Sequence, residues 1–264
     1  MKKLIYLIAI LSLIIVSSCK KTKIEPVQLI ATTTITDVLN NGENNGKIVV
    51  NVTSGTPPYQ YKIDDGINQS SNEFTSLVAK TYTIYVTDKT NAILTLSDIT
   101  VNQPLPISIT PTVTHNTENP GNSGLIVLNA TGGTPPYEYK LNTGSYQTSN
   151  TYSGLTAGSY NVSVKDANGG IKTSTVEVYD GLIITGIEKT DTTLPDPANG
   201  TITITVSGGA QPYDYSINGT NYQSSNLFTG LSSGTYTVTC RDSQEPKKSV
   251  SETITVNYVP PVVD

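Results

Sequence analysis

The chain has no Trp, one Met, one His, two Cys and two Phe among its 264 residues, and only 14% of them are charged. A single His and two Cys make a Cys/His zinc site nearly impossible to assemble within one chain. The lack of Trp removes the largest platform on which a sugar ring could stack. Globular domains average about 25% charge, so this surface must be built from Ser, Thr, Asn and Gly. The net charge of −5 argues against a nucleic-acid partner, which calls for a basic stripe. No stretch beyond the leader carries an apolar stripe at helical period. The one long apolar run, Leu4 to Val16, is too short to span a bilayer core of about 30 Å as a helix.

That run follows the basic start Met1-Lys2-Lys3, the pattern of a secretory signal. It ends in Val16-Ser17-Ser18-Cys19, which resembles a bacterial lipobox: an aliphatic residue, two small residues and the Cys that receives lipid. Residues 1–18 therefore read as a lipoprotein signal peptide, and 19–26 as lipidated anchor and linker. Loss of Lys2 and Lys3 with the signal makes the mature chain two charges more acidic. The expected membrane partner is reached through the acylated Cys19, with about 0.8 kcal/mol per buried CH₂. Lys20, Lys21 and Lys23 beside it would meet anionic headgroups. Surface-exported lipoproteins of Bacteroidota tend to carry acids there, so the cell surface and the periplasmic face of the outer membrane both stay open.

Beyond the anchor the sequence repeats. Gly55-Thr56-Pro57-Pro58-Tyr59 returns as Gly133-Thr134-Pro135-Pro136-Tyr137 and as Gly209-Ala210-Gln211-Pro212-Tyr213. In the same register stand Gly46, Gly124 and Gly200, then Tyr82, Tyr160 and Tyr236, then Asp88, Asp166 and Asp242. Three units result, 27–103, 105–179 and 181–258, with a tail at 259–264. Period-2 alternation marks the strands: Ile48, Val50 and Val52 face inward, as do Ile202, Ile204 and Val206 with Thr201, Thr203 and Thr205 between them. Six or seven short strands per unit make an all-β fold of tandem immunoglobulin-like sandwiches. Short, Pro-containing joints at 102–106 favour an elongated array. Cys240 takes the place of Val86 and Val164, an inward position, so it reads as a small buried hydrophobe. If Gly158 and Gly234 need φ > 0, Lys80 in the first copy carries the strain, and Lys80→Gly stabilises that unit.

The segments Thr131-Gly-Gly-Thr-Pro-Pro-Tyr-Glu-Tyr139 and Tyr152-Ser-Gly-Leu-Thr-Ala-Gly-Ser-Tyr-Asn-Val-Ser-Val-Lys-Asp-Ala-Asn-Gly169 resemble the SprB repeat of Bacteroidota cell-surface proteins. All three units match. The resemblance implies an Ig-like fold, an extracytoplasmic setting and a role in adhesion, and supplies no catalytic residues and no cofactor.

The remaining candidates divide by chemistry. Gly230-Leu231-Ser232-Ser233-Gly234 matches a nucleophile elbow in letters, but the sole His115 lies upstream in another unit, so no enzyme is expected. Asp88, Asp166 and Asp242 are candidate calcium ligands. Calcium wants six to eight oxygens and only one carboxylate recurs, so turn chemistry competes. Tyr59 and Tyr61 and their copies share a face with core residues. Tyr146 and Tyr222, in polar loops, and Tyr85, on an outward strand face, are the candidate glycan contacts; the first unit has Asn68 at the loop position. His115 reads as a solvated loop residue, and Asp191-Thr192-Thr193 resembles a short O-glycosylation signal. The function this supports is a lipid-anchored stalk or adhesion module, with a glycan-binding surface lipoprotein as the alternative and a surface glycan or protein as ligand.

Overall fold

Alternating apolar and hydroxyl-bearing residues produce strands along the whole of the chain that the computed structural model describes, residues 27–194 and 198–261. The leader and Cys19 lie outside the described residues. Eighteen strands and no helix occur among the described residues. In the first repeat, β1 (Ile30–Thr36), β2 (Gly46–Ser54), β3 (Gln60–Ile63), β4 (Glu73–Leu77), β5 (Lys80–Thr87) and β6 (Ile93–Val101) make two three-stranded sheets, β1-β2-β4 and β3-β5-β6. In the second, β7 (Ser108–Thr114), β8 (Gly124–Thr131) and β10 (Thr151–Leu155) form one sheet. The other holds β9 (Glu138–Leu141), β11 (Gly158–Lys165) and β12 (Ile171–Val178). The third repeats this with β13 (Ile183–Thr190), β14 (Gly200–Ser207) and β16 (Leu227–Leu231), and with β15 (Asp214–Ser216), β17 (Gly234–Arg241) and β18 (Ser249–Val256). In immunoglobulin terms these are sheets A-B-E and C-F-G, the constant-type sandwich without strand D.

The described residues gather into two compact units: the first takes residues up to 36, 47–75 and 81–100, and the second takes 37–46, 76–80 and everything from 101 onward. In the first, Ile48, Val50, Tyr61, Phe74, Tyr82, Ile84 and Val86 are buried. In the second unit one core holds Ile126, Leu128, Val162, Val176 and Val178, and another holds Ile202, Ile204, Tyr215, Leu231, Val238, Cys240 and Val256. Every apolar side chain so buried contributes about 1.5–3 kcal/mol, and alternation leaves the intervening Thr and Ser to solvent. Cys240 is fully buried and free; burial foremost, with Asp242 and Asp214 nearby, pushes its thiol up to about 11.

Two recurring residues follow directly from this packing. A Cβ on Gly124 would lie 2.6 Å from the Leu155 carbonyl oxygen and 2.7 Å from Val178 Cγ1, so only glycine lets the strands meet there. Gly200 faces Leu231 and Val256 in the same way. At the start of strand F, the Tyr160 hydroxyl donates to the Thr156 carbonyl at 2.8 Å and that of Tyr236 to Ser232 at 2.9 Å, the tyrosine corner of a Greek-key sandwich.

The position under backbone strain is not the one expected. Gly234 and Lys80 have no positive φ, and Gly158 at 157° sits at the edge of extended backbone. The left-handed residues lie four positions earlier, at Gly154 (φ 71°) and Gly230 (φ 72°). Pairing skips both: Ser153 faces Leu125 and Leu155 faces Gly124, while Gly200 faces Leu231 and Thr201 faces Thr229. These are β-bulges whose extra residue must be left-handed, and they turn the following Leu toward the core. Ser76 holds this place in the first copy at φ 58°. A Cβ at Gly154 meets nothing, so the cost at Ser76 is conformational only, about 1 kcal/mol. Ser76→Gly should therefore raise the denaturant midpoint of the first repeat. Lys80→Gly, which places glycine in an extended strand, should lower it by roughly 0.5–1 kcal/mol; the opposite pattern would refute this assignment.

Candidate functional site

The most repeated chemistry in the chain is a buried carboxylate. Asp166, 4% exposed, accepts the Thr134 N–H on Oδ2 at 2.9 Å, and the N–H groups of Asn168 (3.0 Å) and Gly170 (2.7 Å) on Oδ1. It thereby ties the F–G turn to the B–C loop that carries Gly-Thr-Pro-Pro-Tyr. Asp88 accepts from Thr56 N at 3.1 Å, Thr90 N at 2.8 Å, Thr90 Oγ1 at 2.7 Å and Ala92 N at 3.1 Å. Asp242 accepts from the N–H groups of Ala210, Gln244 and Lys248. The Thr90 hydroxyl, with the backbone donors behind it, holds Asp88 below the usual carboxylate range. Neighbouring glycines make room: a Cβ on Gly133 would stand 2.7 Å from Asp166 Oδ2. With both oxygens facing backbone donors, the carboxylates are spent on the chain itself. Among the described residues no group of three or more His, Cys, Asp or Glu could hold a metal ion.

The tyrosines fall into two sets. Tyr61 and Tyr215 are buried and Tyr139 half-buried, and burial raises the pKa of all three. Their neighbours Tyr137 and Tyr213 donate back to the carbonyls of Gly132 (2.5 Å) and Gly208 (2.6 Å), closing the B–C loop. The second set, Tyr85, Tyr146 and Tyr222, is half-buried on the outer face of the C-F-G sheets, and each ring has a cation against it. Lys62 Nζ stands 4.5 Å from the Tyr85 ring centre, Lys140 and Lys165 stand 4.9 and 4.6 Å from Tyr146, and Arg241 Cζ stands 3.7 Å from Tyr222.

Sheet register shows that these three rings mark one spot. Lys62 pairs with Tyr85 across β3 and β5, Lys140 with Ser163 across β9 and β11, and Ser216 with Thr239 across β15 and β17. In the second repeat the loop residue Tyr146 reaches over this pair and its hydroxyl lies 2.9 Å from Ser163 Oγ. In the first repeat the loop offers Asn68, and strand residue Tyr85 supplies the ring instead. A carboxylate joins the spot in two copies: Glu138 pairs with Lys165 at 2.5 Å, and Asp214 pairs with Arg241 at 3.0 Å and Lys247 at 3.2 Å. The substitution of ring position is invisible to alternation alone, because it requires knowing which loop folds over which strand.

Three other candidates have specific contacts in the structure. Thr192 is 1% exposed, and its Oγ1 lies 2.8 Å from the Leu194 carbonyl and 2.9 Å from Asn199 Oδ1, so the middle residue of Asp191-Thr192-Thr193 is closed to a glycosyltransferase. Within Gly230-Leu231-Ser232-Ser233-Gly234, Leu231 is buried and the Ser232 carbonyl accepts from Tyr236, which makes the segment a bulge and tyrosine corner. His115 is half-buried, and its Nδ1 accepts the Tyr179 N–H at 3.1 Å, so it is not a solvated loop side chain.

The carboxylate geometry sets a clear expectation. Asp166→Ala leaves three N–H groups without their acceptor and should destabilise the second sandwich by at least about 2 kcal/mol. A chelator should leave the thermal midpoint of the unmodified chain unchanged; a calcium-dependent rise would contradict the clip.

The search of curated proteins returned no match. Solved structures that align along the chain are distant: the N-terminal four Ig domains of Dscam1 isoform 8.4 (12% identity, 87% of this chain and 73% of that one, TM-score 0.33) and Drosophila OTK extracellular domains 3–5 (11%, 89% and 92%, TM-score 0.31). Protocadherin Gamma B7 cadherin domains 1–4 align at 14% identity over 88% of this chain and 72% of that one, with a TM-score of 0.23. The family model of the SprB repeat matches residues 32–68, 110–146 and 196–221, the first two at the same place in their sandwiches and the third over a shorter part of it. The chain carries three copies of the SprB repeat.

Proposed function

We propose that the chain is a lipid-anchored, extracytoplasmic repeat protein of the outer membrane that serves as a stalk or adhesion module and carries out no catalysis. The observation that carries this is the threefold repetition of one sandwich, a cell-surface type of repeat, behind a lipobox. In each copy the repeated residues are spent on closing loops and filling cores, while residues on the outer sheet faces vary. Acylated Cys19 would hold the module at the membrane, with Lys20, Lys21 and Lys23 against the headgroups. Cys19→Ser should move the protein from the membrane to the soluble fraction. Protease treatment of intact cells then separates the two faces: digestion of the unmodified protein places it outside, full protection places it in the periplasm. Membrane retention of Cys19→Ser would contradict the lipid anchor.

A second reading, a glycan-binding surface lipoprotein, is favoured by the ring spots at Tyr85, Tyr146 and Tyr222. Two sequence positions supply one ring per repeat at the same place on the sheet. Among the spot residues each copy has one cation in excess: Lys62 in the first, Lys140 and Lys165 against Glu138 in the second, Arg241 and Lys247 against Asp214 in the third. Net positive spots on a chain of charge −5 suit an acidic polysaccharide, with the sugar face on the ring and its carboxylate on the cation. Retardation of the protein in gels containing polygalacturonate but not dextran is expected, and the combined Tyr85→Ala, Tyr146→Ala and Tyr222→Ala variant should abolish it. Equal migration in both gels would remove this reading.

A further inference from the structure

His115 occupies a place that the other two repeats give to aspartate. The residue after strand A is Asp37 in the first copy, His115 in the second and Asp191 in the third. In each, a side-chain atom accepts the N–H of the residue that follows strand G: Asn102 N to Asp37 Oδ1 at 2.8 Å, Tyr179 N to His115 Nδ1 at 3.1 Å, and Asn257 N to Asp191 Oδ1 at 2.8 Å. A backbone bond runs beside each, from Val38, Asn116 and Thr192 N–H to the carbonyls of Asn102, Tyr179 and Asn257. The clip is the same in three copies, but only an imidazole with an unprotonated Nδ1 can serve in the second. The ring also packs on Tyr179, with centroids 5.0 Å apart.

The clipped residue begins the link to the third repeat. Asp180 Oδ1 accepts from Asn116 Nδ2 and Gly121 N, both at 3.0 Å. The Asp180 carbonyl accepts from Gly209 in the B–C loop of the third repeat, and Gly181 N–H donates to the Glu118 carbonyl. A cleft of about 700 Å³ lies at this joint, with His115 and Tyr179 on one side and Ala210, Ser243 and Lys248 on the other. The charged groups facing the imidazole come from both repeats: Asp180 on the link, and Asp242, Glu245 and Lys248 from the third.

We propose that His115 is a proton-operated latch of the joint between the second and third repeats. Protonation of Nδ1 converts the acceptor into a donor, sets it against the Tyr179 N–H, and opens the side-chain clip at the Tyr179 end of the link. Burial holds the His115 pKa below its ordinary value; Lys248 adds to this and Asp242 opposes it. The unfolded chain therefore takes up its proton near pH 6.5 and the folded chain only at lower pH. The clip's contribution is complete above about pH 6.5 and is lost as pH falls through the folded value. Asp191, held at about 2 chiefly by the Asn257 N–H, keeps the equivalent clip of the third repeat closed across that window.

The chain has one His, so its imidazole can be followed by proton NMR in the full protein without assignment ambiguity. The His115 Hε1 signal should titrate with a midpoint below 6.5, and the Tyr179 amide should shift with the same midpoint and lose hydrogen-exchange protection severalfold on acidification. His115→Asp, which copies the other two repeats, should keep that protection down to pH 5. His115→Asn offers a neutral acceptor if the added charge disturbs folding. A Tyr179 amide that ignores the titration of His115, or that opens on acidification equally in both variants, overturns the proposal.

Discussion

The repeat depends on one interaction, the buried carboxylate of Asp88, Asp166 or Asp242 that gathers backbone N–H groups from two loops. Without an acceptor at that point the F–G turn and the B–C loop would each carry buried donors with no partner, a cost of about 1–3 kcal/mol apiece. With it, the two connections close against each other. The rest follows from that closure. The tyrosine of Pro-Pro-Tyr reaches back to the glycine carbonyl at the start of the same loop, and glycines beside the carboxylate leave space for it. Burying this charge is tolerable because each oxygen meets donors, which is how an acid can sit inside a small neutral sandwich.

Much of this was legible in the sequence, because strands report themselves through alternation. Ile48 and Val50, Ile126 and Leu128, Ile202 and Ile204 are the most buried residues of their strands, and the exchange of Val86 and Val164 for Cys240 marks a core position. What stayed hidden depends on φ and on register. Lys80 drew attention because the other copies have Gly158 and Gly234 at its place, yet the glycine that must be left-handed is the bulge residue, and only strand pairing reveals that Ser76 stands in its place. His115 looked like a loop residue because it sits in the polar run Thr114-His115-Asn116-Thr117-Glu118, and Asp37 and Asp191 share with it an acceptor atom at one height, not a residue type. Tyr85 and Tyr146 lie far apart in the repeat alignment, and only the fold brings their rings to one spot.

The division of labour among these residues bears on function. Groups that repeat without change, the glycines Gly46, Gly124 and Gly200, the corner tyrosines and the aspartates, face inward or close loops. Groups that differ between copies, such as the ring and cation spots or the acceptor at 37, 115 and 191, lie on outer faces or at joints. A module built this way can hold its sandwich constant while each copy adjusts its surface or its link.

The most direct test of the account is amide hydrogen exchange on the full chain without added metal, read at the donors of the three carboxylates. Thr56 and Ala92, Thr134 and Gly170, and Ala210 and Lys248 should exchange as slowly as the core strand amides of Val86, Val164 and Cys240. Exchange of these amides at loop rates, or protection that arises only on adding calcium, would contradict it.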